Sequence, residues 1–96
     1  MAWQITRFTN HFTLEIEGHT EADYQPKVGQ PDAWDLSTQR AHATRKLLME
    51  HSVRSSQFRR VSGYADTVPI EGVLSDDPRN RRVALILRAS DTVYKF

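Results

Sequence analysis

Three segments of the chain have patterns of apolar and polar residues that are typical of β-strands. Residues 12–17 alternate strictly, which predicts a strand with one buried face. A second strand is predicted over residues 58–65, with Gly63 marking its end. Residues 81–89 are apolar on both faces over most of their length. We therefore expect this third strand to lie centrally in a sheet.

A helix is predicted between the first two strands. Asp35 can cap a helix that starts at Leu36 and runs to about Glu50. Its apolar residues recur at a spacing of three and four, and they define the stripe that should face the sheet. This stripe consists of Leu36, Ala43 and Leu47, with Leu48 on its shoulder.

The rest of the chain predicts loops and one short helix. The short helix is expected over residues 3–10. Residues 21–35 and 66–78 are rich in proline, glycine and acids, which is typical of loops. Long loops in small domains tend to be functional or disordered. The order of elements predicts an α+β sandwich with helices packed on one sheet, in a single domain over residues 1–96 with its core in 12–89.

Composition and charge narrow the class of protein. The 96 residues fit one small domain, and 39% hydrophobic with 26% charged residues is typical of a globular protein. The net charge of +1 is too small to indicate a nucleic acid or an anionic membrane as partner. The absence of cysteine excludes disulfides and thiolate metal sites. No apolar run approaches the ~20 residues that span a bilayer, and no secretion signal is visible.

Arg40 is the most informative candidate residue. On a helical wheel it falls among Leu36, Ala43 and Leu47, in the apolar stripe. A guanidinium there loses its water at high cost unless a carboxylate or a carbonyl compensates it. It also lies near the helix N-terminus, where the macrodipole favours anions. Such conflicts are enriched at functional sites. The structural alternative is a snorkelling side chain or an ion pair with an aspartate of the loop.

His19, Thr20 and Glu21 form a polar cluster where the first strand enters a long loop. Strand ends that lead into long loops are common ligand sites. An acid at Glu21 and a cation at Arg40 suit a zwitterion, whose ammonium would meet the acid and whose carboxylate would meet the arginine. Free amides at the helix start would add to carboxylate binding. A capping or turn hydrogen bond by Glu21 is the alternative interpretation.

No motif in the chain indicates catalysis, a metal or a cofactor. The four histidines lack the spacing of a metal site. Glu15 and Glu17 point to the same side of a strand, which permits paired-carboxylate catalysis but favours a solvated face. Basic clusters at residues 58–60 and 79–82 lack the interleaved aromatics of nucleic-acid sites. The sequence therefore predicts a protein that is not an enzyme, with no cofactor, no metal and no nucleic acid partner.

Four sequence blocks stand in a fixed order along the chain. They are IEGHTE (16–21), WDLSTQRAHATRKLL (34–48), VSGYADTVPI (61–70) and NRRVALIL (80–87). Together they resemble the OmpA-like peptidoglycan-binding domains, over roughly residues 12–89. The long loop and the tryptophan before DLS make the chain most similar to the motility protein B branch, the cell-wall anchors of flagellar stators.

The resemblance implies a fold, a ligand and a set of site residues. It implies a two-layer sandwich, with a mixed sheet and helices on one face, that binds peptidoglycan without catalysis. In the family, an acid after the strand binds the ammonium of diaminopimelate in the peptide stem, and the arginine of the LSxxRA helix binds its carboxylate. These residues correspond to Glu21 and Arg40. The resemblance also implies that the pocket is lined by Thr20, Leu36 and Ser37 and flanked or braced by Asn80 and Arg81.

The chain departs from the family pattern at three places. The family acid is usually aspartate where this chain has Glu21, and asparagine often stands at the position of Ala33, so both contacts are expected to differ. The family fold begins with a strand and a helix before residue 12, so the sheet is predicted to lack that first strand and to expose an edge. An exposed edge permits a homodimer. The membrane helix, and with it the motor partner subunit, is expected only in a full-length parent.

These departures leave two interpretations of the chain. The resemblance implies a periplasmic module that binds the cell wall. The alternative is a truncated, non-functional or self-associating remnant, which would stay in the cytoplasm because no export signal is visible. Contact with nucleic acid through the arginines is a third reading, and salt-dependent binding would reveal it.

Overall fold

The computed structural model of the protein describes residues 12–89 and 92–96. These residues form a mixed four-stranded sheet with one helix packed on its face. The elements are β1 (Phe12–His19), α1 (Ala33–Glu50), β2 (Phe58–Gly63), β3 (Arg82–Ala89) and β4 (Thr92–Lys95), with short 3₁₀ turns at Ser55–Gln57 and Pro78–Asn80. The strand order is β2-β1-β3-β4. β1 and β2 are parallel and joined through α1, whereas the other neighbouring pairs are antiparallel. The predicted α+β class is confirmed. The short helix predicted over residues 3–10 lies outside the described residues.

All three predicted strands are present. β1 extends two residues beyond the predicted segment, and β2 ends at Gly63. β3 is an inner strand between β1 and β4, as its apolar sequence predicted, and its residues 84–87 are all buried. The sequence did not predict β4, whose four residues are exposed and pair with the end of β3.

The start of α1 was predicted too late. Asp32 is the N-cap, and its Oδ1 accepts a hydrogen bond from the Asp35 amide at 2.8 Å. The helix therefore begins at Ala33 and not at Leu36. Two aspartates three residues apart both satisfy the capping preference, and the extended backbone of Asp32 decides between them. The predicted end at Glu50 is confirmed.

The face of α1 that packs on the sheet was also predicted wrongly. Ser37, Ala41 and Leu48 are buried, whereas Ala43 is exposed and Leu47 is 51% exposed. The small side chains let the helix approach the strands closely. The seam between helix and sheet consequently runs through Ser37 and Ala41, and the leucine-rich stripe lies beside it.

Two glycines make this close approach possible. Gly18 on β1 and Gly63 on β2 are partners in the parallel register. A Cβ atom at Gly18 would overlap the carbonyl group of Ser37, and one at Gly63 would lie 2.6 Å from the Ser37 Oγ. The first turns of α1 therefore rest directly on the carboxyl ends of the two parallel strands.

The core lies between α1 and the sheet. It is built from one face of β1 and β3 together with the buried side of the helix. Its fully enclosed members are Phe12, Leu14, Ile16, Ala41, Leu48, Val53, Leu85 and Leu87.

The opposite face of β1 carries an ion-pair cluster. Glu15 is only 8% exposed and lies 3.2 Å from Arg60 and 3.2 Å from Arg88. Glu17 lies 3.6 Å from the same Arg60. The expectation of a solvated strand face was therefore wrong for Glu15, because the two arginines on neighbouring strands cover it. Both carboxylates have arginine partners, which is the arrangement of a structural cluster.

Candidate ligand-binding site

The loop after β1 meets two other segments at one end of the sheet. The amide of Thr20 donates to the Ala65 carbonyl at 2.8 Å, and the amide of Ala22 donates to the Ser75 carbonyl at 2.9 Å. The helix start lies over Gly18 at the same end. The loop after β1, the loop after β2 and the first turns of α1 therefore converge where the sequence predicted the site.

Glu21 is paired with Arg81. The Nε of Arg81 donates to the Oε2 of Glu21 at 3.0 Å. The side chain of Glu21 is 13% exposed and that of Arg81 is 53% exposed, so Arg81 reaches a largely buried carboxylate from the rim of the site. Within the described residues, the second oxygen of Glu21 makes no hydrogen bond.

Arg40 is half-buried on the second turn of α1. Within residues 12–89 and 92–96 its guanidinium makes no hydrogen bond and no ion pair, whereas its main-chain carbonyl accepts a hydrogen bond from Thr44. Of the two structural alternatives, the ion pair with a loop aspartate is therefore not found in this part of the chain, whereas the snorkelling side chain stays a prediction. A partly desolvated cation without an anion is a favourable place for a carboxylate ligand to bind.

Ser37 holds the helix start against the loop after β2. It is fully buried, its Oγ donates to the Trp34 carbonyl at 3.0 Å, and it accepts from the Ala65 amide at 3.0 Å. Leu36, the neighbouring predicted site residue, is half-buried. Ser37 thus positions the backbone around the site, and Leu36 is the more accessible of the two.

Asn80 organises the loop that follows β2. It is 1% exposed, and its Oδ1 accepts from the Ile70 amide at 2.7 Å. Its Nδ2 donates to the Leu74 carbonyl at 2.8 Å and is 3.3 Å from the Ser75 carbonyl oxygen. One buried amide side chain therefore ties the middle of the loop, at Ile70 and Leu74, to its end, and it also supports the loop after β1 through the Ala22–Ser75 hydrogen bond.

Thr20 and His19, the two residues before Glu21, bury polar atoms. Thr20 is 2% exposed, and within the described residues its hydroxyl has no partner. His19 is 1% exposed, stacks on Tyr64 with ring centroids 5.5 Å apart, and has its Nε2 3.3 Å from Glu17. Its Nδ1 likewise finds no partner in the described part of the chain. The pKa of His19 is below its ordinary value because burial disfavours the imidazolium and Arg82 repels it, although Glu17 opposes this shift.

Acidification should weaken the fold through His19. The unfolded chain takes up a proton at this histidine more readily than the folded protein does, so the contribution of neutral His19 is complete above its ordinary pKa of 6.5 and is lost as the pH falls below it. Urea unfolding at about pH 7.5 and about pH 5.5, on either side of the ordinary histidine pKa, measures this loss. His19→Gln should show a smaller loss than the parent, and His42→Gln, at an exposed position, should match the parent. Equal losses in the parent and His19→Gln would contradict the assignment.

Three contacts at the site were not predicted. They are the ion pair between Glu21 and Arg81, the stacking of Tyr64 on His19, and the Arg82 guanidinium that donates to the Val68 carbonyl at 3.2 Å. The pairing of His19 with Arg82 in the antiparallel register of β1 and β3 explains why the arginines near residue 81 reach the end of β1. The sequence indicates this ion pair only through the opposite charges of Glu21, just after β1, and Arg81, just before β3.

A comparison with known families agrees with this fold and this arrangement of segments. The model of the OmpA family matches residues 2–82, and the chain therefore belongs to the OmpA family. This result confirms the resemblance inferred from the four sequence blocks. Among individual proteins, the chain is similar to motility protein B of Escherichia coli strain K12, with 34% identity over 76 residues. That alignment covers 77% of this chain and 24% of the relative, so the chain spans about a quarter of that protein's length.

Solved structures share the fold. The periplasmic domain of Helicobacter pylori MotB superposes with a TM-score of 0.74 at 23% identity, over 93% of this chain and 56% of that domain structure. The OmpA-like domain of FopA1 from Francisella tularensis gives a TM-score of 0.63 at 20% identity, over 88% of this chain and 53% of the other.

In the described residues, no helix combines the length and the hydrophobicity needed to cross a bilayer.

Proposed function

We propose that the chain is a non-catalytic module that binds peptidoglycan in the periplasm, as part of a wall anchor of the motility protein B type. The ligand is the free end of diaminopimelate in the peptide stem. Its carboxylate binds Arg40, and its ammonium binds the carboxylate of Glu21. The observation that carries the proposal is that Arg40 is half-buried and its guanidinium has no anion within the described residues.

The remaining residues of the site have distinct roles in this proposal. Leu36 contacts the aliphatic part of the ligand, and Arg81 holds the carboxylate of Glu21 from the rim. The buried residues Thr20, Ser37 and Asn80 fix the backbone on which the two charged groups stand. Ala33 contributes no polar side chain, so the amide contact that asparagine makes in the family is absent from the proposed site.

The partners follow from the family and from the edges of the sheet. Within the described residues the sheet ends at β2 on one side and β4 on the other, and a second copy of the chain could pair with either edge. A motor subunit is proposed as partner only for a longer protein of the motility protein B kind. Sedimentation measures whether the protein is a monomer or a dimer. This result gives the number of binding sites per molecule that the calorimetric titration should find.

Titration calorimetry of the full chain with a disaccharide-tetrapeptide that carries diaminopimelate tests the proposal. Arg40→Ala should weaken binding by about 2–3 kcal/mol, roughly 30- to 150-fold, because charge-assisted hydrogen bonds contribute on this scale. Arg59→Ala is the matched control, because Arg59 is exposed at the opposite end of β2 and makes no ion pair within the described residues. If the Arg40→Ala protein binds as tightly as the parent, the proposal is wrong.

A further inference from the structure

The two charges of the proposed site differ in whether they already have a partner. The Oε2 of Glu21 accepts a hydrogen bond from the Arg81 Nε at 3.0 Å. Arg40, in contrast, is a half-buried residue whose guanidinium has no anionic partner within the described residues. In this part of the chain, the acid therefore already has a partner before a ligand arrives, and the cation has none.

This asymmetry changes how much free energy each charged group of a zwitterionic ligand contributes to binding. An ammonium that approaches Glu21 must share the carboxylate with Arg81 or displace it, so it gains only the difference between two similar interactions. Arg81 reaches this pair from the rim with a side chain that is 53% exposed, whereas Glu21 is 13% exposed. A carboxylate that reaches Arg40 displaces no anion of the described residues, so its attraction to the guanidinium is not shared with a competing charge.

We infer, on the basis of the proposed function, that the site recognises the peptide stem mainly through the carboxylate of diaminopimelate and tolerates loss of the neighbouring ammonium. Cross-linking of the wall converts this ammonium into an amide and leaves the carboxylate intact. Cross-linked stems are therefore ligands as well as free stems, whereas amidation of the carboxylate removes the feature that Arg40 recognises.

Three versions of one disaccharide-tetrapeptide test the inference on the full chain. They carry an unmodified diaminopimelate end, an acetylated amine and an amidated carboxylate. Acetylation should weaken binding by less than about threefold, and amidation by more than about thirtyfold, because the ammonium shares its acid with Arg81 whereas the carboxylate does not share Arg40. Comparable losses for the two modifications would overturn the inference and leave the proposed function intact. Failure of the parent to bind any of the three would overturn both.

Arg81→Gln isolates the cause of the tolerance. Removal of the guanidinium frees the Glu21 carboxylate, so acetylation of the ligand should now weaken binding by more than about tenfold. Arg79→Gln is the matched control, because Arg79 is an exposed arginine two positions away that pairs with Asp77 at 3.0 Å. An acetylation effect that is the same in Arg81→Gln and in the parent would contradict the role assigned to Arg81. Circular dichroism of each variant verifies that it is folded.

Discussion

Gly18→Ala should destabilise this domain more than the same substitution at any of its other three glycines. The new Cβ would overlap the carbonyl group of Ser37, which is backbone and has no rotamer to change. Either α1 must move off the sheet or β1 must distort, and both open the core. We expect a loss of at least about 3 kcal/mol, a large part of the ~5–15 kcal/mol that stabilises a typical domain. The midpoints of thermal and urea unfolding measure this loss.

Gly29→Ala is the control for the general cost of replacing a glycine. Gly29 has a φ of +83°, and a Cβ there would meet nothing within 4 Å. Its replacement should cost only about 1–2 kcal/mol, the penalty for a left-handed backbone with a side chain. If Gly18→Ala costs no more than Gly29→Ala, the close contact between α1 and β1 is not as described.

Leu48→Ala should cost about 3 kcal/mol, because Leu48 is 2% exposed and lies in the core between α1 and the sheet. The truncation leaves a cavity that the neighbouring strands cannot fill. The unfolding free energy from urea denaturation measures the effect.

The adjacent leucine provides a matched control for this substitution. Leu47 has the same side chain on the same helix but is 51% exposed. Leu47→Ala should change the unfolding free energy by less than about 1 kcal/mol. If Leu47→Ala proves the more damaging of the two, the helix faces the sheet with the stripe predicted from the sequence and not with the face described above.

The same pair of leucines shows what the sequence could predict about α1. Its existence and its end at Glu50 followed from apolar spacing and composition. Its rotation did not, because a 3–4 spacing fits both the stripe through Leu47 and the seam through Ser37 and Ala41. The choice depends on glycines in strands that lie far away in sequence, and periodicity within the helix carries no information about them.

The segments that converge after β1 were predictable from the sequence, but the pairing of their side chains was not. The assignment of Glu21 and Arg40 as ligand-binding residues stays a prediction. Arg81 stands 60 residues beyond Glu21, and only the register of β1 against β3 brings the two together. Local pattern therefore identified an acid and a cation, whereas the tertiary structure decides which cation the acid contacts. The identity of the ligand comes from the family resemblance and remains a proposal.

The loops around the site are anchored at their bases and exposed at their tips, so a label can be attached to a tip. Asn80 and the Ala22–Ser75 hydrogen bond anchor the bases, whereas Val28 is fully exposed and Gly72 has open space around it. A cysteine introduced at position 28 would be the only thiol in this otherwise cysteine-free chain. A fluorophore or a surface tether could therefore be attached there selectively. Such a handle would report single attachment events on isolated sacculi while leaving the charged groups of the site unmodified.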